Sequence, residues 1–222
     1  DKYLVKGSEI TVVADESFRE NVEACCNRND RLLYFEIGDT TNRLLLDQLK
    51  IADFDHVIVL ADTTLTVQEA DARTLVTLLH LRDISVHDDT PFSIVSEMLD
   101  LRNRELATIT RVDDFIVSAH LSSLMIAQLS ENDRLMEVFT DMLNEEGAEI
   151  CLKPIEEYVV LGEAVNFYTI VEAARRRKET AFGYRIVSEH EDEARSFGVH
   201  INPEKSASVK FETGDRIIVF AD

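Results

Sequence analysis

Apolar, β-branched runs alternate with segments of helical period through the first 120 residues, the pattern of a parallel sheet covered by helices on both faces. Strands are predicted at Glu9–Ala14 (EITVVA), Leu32–Ile37 (LLYFEI), His56–Ala61 (HVIVLA), Phe92–Ser96 (FSIVS) and Asp114–Val117 (DFIV). Between them, Phe18–Asn27, Asn42–Leu49, Val67–Asp83 and Asp100–Thr108 carry apolar residues three and four apart, as helices do. A longer helix is predicted over Leu121–Asn144, with Leu124, Met125, Leu135 and Phe139 on its apolar side, a break at the polar run SENDR and a C-cap at Gly147. Such a Met-bearing stripe is usually core, but beyond the last strand of a sheet it also suits docking between subunits, which is the preferred reading.

After Gly147 the composition becomes β-rich, at Glu149–Pro154, Glu157–Val160, Ala181–Val187 and Arg216–Phe220. A helix over Asn166–Lys178, capped by Asn166, and a turn over Glu212–Asp215 complete this part. The expected organisation is therefore α/β: a sheet lobe over residues 1–120, connecting and dimerisation helices over 121–147, and a smaller α+β lobe over 148–222.

Composition narrows the partners. The 222 residues carry a formal charge of −20, which repels phosphate backbones, and the one basic run is Arg175-Arg176-Arg177-Lys178; nucleic acid is not an expected partner. No apolar run approaches the roughly 18–20 residues of a membrane span, and no basic-then-apolar leader opens the sequence, so a soluble chain is expected. Three cysteines, two of them adjacent (Cys25, Cys26) and one distant (Cys151), lack metal-ligand spacing and fit a reducing compartment.

The chemistry-bearing positions lie at strand ends. ITVVAD, YFEIGD and VIVLAD finish on Asp15, Asp39 and Asp62, and Glu97 follows the fourth strand. The carboxyl ends of parallel strands open onto the crevice where ligands sit, so these acids are candidates for a ribose hydroxyl, a cation or a partner backbone. As a metal set, Asp15, Asp39, Asp62 and Glu97 are preferred over the acidic runs at Glu145-Glu146 and Glu191–Glu193, because neighbouring carboxylates on a loop diverge. Capping is the competing reading, and Asp39-Thr40-Thr41 and Asp62-Thr63-Thr64 suit it.

Enzymatic motifs are missing. Seven glycines form neither GxGxxG nor a P-loop, so a nucleotide has no glycine-rich loop in this chain. A Rossmann-like sheet normally places that loop after its first strand; either no dinucleotide binds or the first strand–turn unit lies before residue 1. The six histidines show no HxxxH spacing and no Ser or Cys sits in a GxSxG elbow, so no catalytic residue is assigned.

Several blocks bring a family into view: QEADARTLVTLLHLRDI (Gln68–Ile84), EEGAEI (Glu145–Ile150), GEAVNFYTIVEAARRRKETAFGYR (Gly162–Arg185), Asn202-Pro203 with Lys205, and the terminal GDRIIVFAD. They resemble, in order, the cytosolic region of Castor/Pollux-type ion channels. That region is similar to regulator-of-potassium-conductance (RCK) domains, Rossmann-like sheets flanked by helices and followed by a hinge helix and a C-terminal lobe. The resemblance implies a cytoplasmic, non-enzymatic sensor domain of a cation channel, with a transmembrane pore upstream. It also implies a homo-oligomer, a dimer or a tetrameric gating ring, that couples a small-molecule or cation ligand to opening. Calcium is the candidate cofactor, and the compactness of the chain suggests a bacterial relative. The competing readings are a separate regulatory subunit of a potassium uptake system and a nucleotide-dependent oxidoreductase; an upstream pore in the same reading frame would exclude the first of these, and the missing glycine loop argues against the second.

Overall fold

The computed structural model describes residues 7–26, 32–87, 92–103, 114–144, 147–190 and 192–221. They fall into two compact units, one within Leu4–Asp133 and one within Arg134–Asp222.

In the first unit all five predicted strands form: β1 (Glu9–Ala14), β2 (Leu32–Ile37), β3 (His56–Val59), β4 (Ser93–Met98) and β5 (Asp114–Val117). Every pairing is parallel, as expected for strands joined by crossover helices. The strands are divided between two ladders, however, β1-β2 and β3-β4-β5. The helices are α1 (Arg19–Cys26), α2 (Arg43–Gln48) and α3 (Val67–His87). Asn42 caps α2 by accepting the Leu44 N–H at 3.1 Å. A reciprocal capping box starts α3, with Thr66 N–H donating to the Glu69 carboxylate at 3.2 Å and Glu69 N–H to the Thr66 hydroxyl at 3.4 Å. Of the expected helix over 100–108, only a 3-10 turn at Leu101–Asn103 lies among the described residues.

Helix α3 is the main cover of the β3-β4-β5 ladder. Its buried Leu78, Leu81 and Ile84 share a core with Leu46, Ile51, Phe92 and Ile94, and Val57 and Val59 pack against it. Alternation along β4 places Ile94, Ser96 and Met98 on the buried side.

The long helix predicted over Leu121–Asn144 is two helices, α4 (Ser118–Glu131) and α5 (Leu135–Met142). The break falls within SENDR, where Arg134 takes a left-handed conformation (φ 64°). Gly147 is not the C-cap: that place is taken four residues earlier by Leu143, whose N–H returns to the Phe139 carbonyl.

The second unit contains the antiparallel sheet β6-β11-β8-β9, built from β6 (Glu149–Pro154), β8 (Thr180–Arg185), β9 (Val199–Ile201) and β11 (Arg216–Ala221). A separate hairpin-like pair joins β7 (Ala164–Asn166) to β10 (Ser208–Lys210). Helix α6 (Phe167–Arg176) starts at Asn166, whose side chain accepts the Thr169 N–H as expected. It buries Phe167, Ile170 and Ala174 against Ile217, Val219 and Ala221 of β11. Asp215, itself buried in the turn before β11, accepts from the Glu212 and Val187 N–H groups at 2.9 and 2.8 Å.

The strand expected at Glu157–Val160 does not form. Pro154 is followed by a 3-10 turn at Ile155–Glu157, and the Tyr158 and Val159 N–H groups both return to the Ile155 carbonyl, which takes these two donors away from any ladder. The short strands β7, β9 and β10 had no readable periodicity in three residues each.

Truncating Leu78 to alanine should cost about 2–5 kcal/mol, and the adjacent Leu79→Ala, which is 53% exposed, less than about 0.5 kcal/mol. Chemical denaturation of the two variants checks which face of α3 the fold depends on.

Candidate functional site

Asp15, Asp39 and Asp62 each follow the carboxyl end of a parallel strand, in two separate ladders, and local turn chemistry engages each of the three. Asp15 accepts the Ser17 N–H at 2.9 Å. Asp39 accepts the Thr41 N–H at 3.0 Å and its hydroxyl at 2.8 Å. Asp62 does the same with Thr64, at 3.0 and 2.6 Å. All three therefore hold the turn after their strand, as Asx-type caps do.

Helix α3 adds what the strands lack, a cation. Arg73 donates to Asp39 at 3.0 Å, and its charge also favours the ionised form of Asp62, which the charge of Asp15 opposes. Arg73 thus acts on Asp39 and Asp62, and Asp15 lies near enough to Asp62 to oppose its ionisation. Each is held below the usual aspartate range: Asp15 by the Ser17 N–H, Asp39 by the Thr41 N–H and hydroxyl with help from Arg73, Asp62 by the Thr64 hydroxyl and N–H.

Glu97 is differently employed. Its carboxylate accepts the Ala61 N–H at 3.2 Å and the Ser118 hydroxyl, tying the end of β3 to the start of α4. Among the described residues no group of three or more His, Cys, Asp or Glu side chains is arranged to hold a metal ion. Of the acidic runs set aside earlier, Glu145, Glu146 and Glu191 lie outside the described residues, and Asp192 caps the Ala194 N–H at 2.9 Å.

Sequence reasoning passed over the residues that position this edge. Thr77 bonds Thr40 at 3.1 Å, the His80 imidazole meets the Thr41 carbonyl at 3.1 Å, and Arg43 pairs with Asp47 at 2.7 Å and with Asp83. Asp71, fully buried on α3, receives the Leu99 and Asp100 N–H groups at 2.8 and 3.0 Å and the Asn103 amide at 2.7 Å. A signal existed: Asp71, Thr74 and Thr77 interrupt the stripe that Leu78 and Leu81 continue, and polar residues on a buried face need partners. Beyond the ends of β4 and β5 opens a cleft of about 440 Å³, bordered by Gln68, Asp100, Arg102, Val117, His120 and Ser123.

The chain matches curated proteins from end to end. It is 33% identical over 260 aligned positions to "Probable ion channel SYM8" of Pisum sativum, covering all of this chain and 28% of that protein. "Ion channel DMI1" of Medicago truncatula is 32% identical, with 29% of it covered, and "Ion channel POLLUX" of Lotus japonicus 31% identical, with 28% covered. The resemblance to Castor/Pollux-type ion channels holds over the whole chain. This chain spans less than a third of the length of those channels. No family model matches it. Among solved structures, the GsuK RCK domain aligns over 98% of this chain and 44% of its own, at 14% identity and a TM-score of 0.41. A "GsuK channel bound to NAD" aligns over 98% of this chain and 37% of its own, also at 14% and 0.41.

The lowered pKa values set a direction for acid stability. Because the folded-state values lie below the ordinary 3.8, the stabilisation from these caps is complete above that pH and is lost as pH falls through the lowered values. In an Arg73→Met variant the Asp39 midpoint, followed by carboxyl-carbon NMR, should rise toward 3.8 yet stay below it, since the Thr41 bonds remain; an unmoved midpoint would show that Arg73 does not act on this edge.

Proposed function

We propose that this chain is the ligand-sensing part of a longer cation channel, lying in the cytosol and coupling ligand binding to a pore carried elsewhere in the polypeptide. The observation that carries the reading is the end-to-end similarity to ion channels of which the chain spans only about 28%. No helix among the described residues is long and apolar enough to cross a membrane, so conduction would fall to the remainder. A regulatory role fits that division better than catalysis, and no residue is assigned to a reaction.

Such a sensor works through assembly. A ligand biases a gate only by the difference between its affinities for the two states of the ring, so subunits must meet on surfaces that respond to it. Helix α4 exposes Leu121, Leu124 and Ile126, and α5 with its C-cap exposes Met136, Val138 and Leu143. We assign these apolar positions to contacts between copies, in a dimer or a larger ring. Light scattering should give a dimer or larger species that Leu124→Glu with Ile126→Glu dissociates; a monomer at high protein concentration would reject the assignment.

For the ligand we propose calcium; Asp15, Asp39, Asp62 and Glu97 are not arranged to hold a metal ion as they stand, so binding requires them to converge, with Arg73 turning away from Asp39 as the ion enters. Calcium should raise the thermal midpoint of the chain, and Asp15→Asn with Asp39→Asn, which keep the capping oxygens but remove two charges, should abolish that rise. An unchanged calcium response in the double variant rejects the site. Titration with magnesium and with adenine nucleotides in parallel separates a cation sensor from a nucleotide sensor, and ligand-dependent ion flux through the full-length protein in liposomes tests the channel reading itself.

A further inference from the structure

In the second unit, α6 covers only one side of the antiparallel sheet. Ile217, Val219 and Ala221 of β11 join the core beneath α6, so Arg216, Ile218 and Phe220 face the other way. Residues directly opposite in a ladder share a face. The register therefore sets Arg216 beside Arg185 of β8, with Pro154 of β6 and Val199 of β9 completing the row. The next row reads Leu152, Ile218, Gly183 and Ile201, and beyond it Ile150 lies beside Phe220.

Two arginines directly opposite one another are unfavourable, because their Cβ atoms lie about 4.5–5.5 Å apart and like charges at that spacing repel. A chain with 43 acidic and 23 basic residues has carboxylates to spare. Eight other arginines are paired with one. The half-buried side chains of Arg185 and Arg216 make no ion pair or hydrogen bond among the described residues. Asp215, next to Arg216 in sequence, is buried and accepts the Val187 and Glu212 N–H groups instead. A pair of cations that the fold neither separates nor neutralises suits an anion brought from outside.

The surroundings select which anion. A carboxylate has two oxygens, which one guanidinium satisfies side-on, whereas a phosphate monoester has three and a charge of roughly −1.5 to −2, close to that of the arginine pair. About 7 Å further along the strands the face turns apolar. Leu152 is 48% exposed there and Ile201 55% exposed, so an alkyl or acyl body attached to the phosphate would cover surface that a bare ion leaves wet.

We propose that Arg185 and Arg216 bind a phosphate monoester whose apolar body lies on the row from Leu152 to Ile201, supplied either by a soluble compound or by the headgroup of an anionic lipid. The site lies within the second unit and shares no residue with the strand-end acids. It does not depend on the channel reading.

Octyl phosphate should raise the thermal midpoint of the 222-residue chain, and inorganic phosphate should do so more weakly. Arg185→Gln and Arg216→Gln should each weaken octyl phosphate about tenfold or more without lowering the midpoint of the free chain, because each relieves a repulsion. Ile201→Asn should weaken octyl phosphate and leave inorganic phosphate unchanged. Flotation with phosphatidylcholine vesicles, with and without phosphatidic acid, separates the sources. Arginine-dependent flotation that requires phosphatidic acid assigns the site to a lipid, and octyl phosphate binding without flotation assigns it to a soluble compound. A chain that responds to neither probe overturns the proposal, as do Gln variants that bind as tightly as the parent. So does a free-chain midpoint that falls in both Gln variants, which would make the arginines structural.

Discussion

The packing of α3 on β3 and β4 is the contact on which the rest of the first unit depends. Burying Leu78, Leu81 and Ile84 fixes the rotation of a 21-residue helix, and that rotation decides where its polar residues go. Asp71 then lies under the end of β4, where it takes up the Leu99 and Asp100 N–H groups. Arg73, Thr77 and His80 reach the segment after β2. One helix therefore gathers ends of strands that are not hydrogen-bonded to one another.

Charge makes this edge unusual within an acidic chain. At −20 the protein has far more carboxylates than cations, and carboxylates brought together at strand ends repel unless something compensates. Turn N–H groups and threonine hydroxyls do most of that work locally, and Arg73 supplies a full positive charge shared by Asp39 and Asp62. Capping and ligand binding are usually set against each other as explanations of a strand-end aspartate. At this edge the capping bonds leave each carboxylate with further lone pairs, so a cap can also present charge to a ligand.

The second unit relies on a different constraint, the close approach of antiparallel strands. Gly183 of β8 faces β9 so closely that a Cβ would sit 2.6 Å from the His200 carbonyl. Its absence of a side chain lets β9 pair there, while Tyr184 beside it packs edge-on to Phe211 at 5.2 Å. Glycine in a strand reads as a weakness in sequence and is here the condition for the fourth strand of the sheet.

Local pattern alone determined the parallel strands β1 to β5, the helices α1 to α3, the break between α4 and α5, the Asn166 cap and the acids at the strand ends. These follow from period, side-chain shape and capping chemistry, all of which act over a few residues. Glu157–Val160 misled because its apolar, β-branched residues matched a strand, while the bonds that fold it into a turn start from the Ile155 carbonyl behind Pro154. Tertiary structure decided that Arg73 meets Asp39 across 34 positions, that Asp71 is a buried acceptor, and that the parallel strands fall into two ladders. Those outcomes depend on which chain segments come together in space, and strand order and long-range pairing leave no period in the sequence.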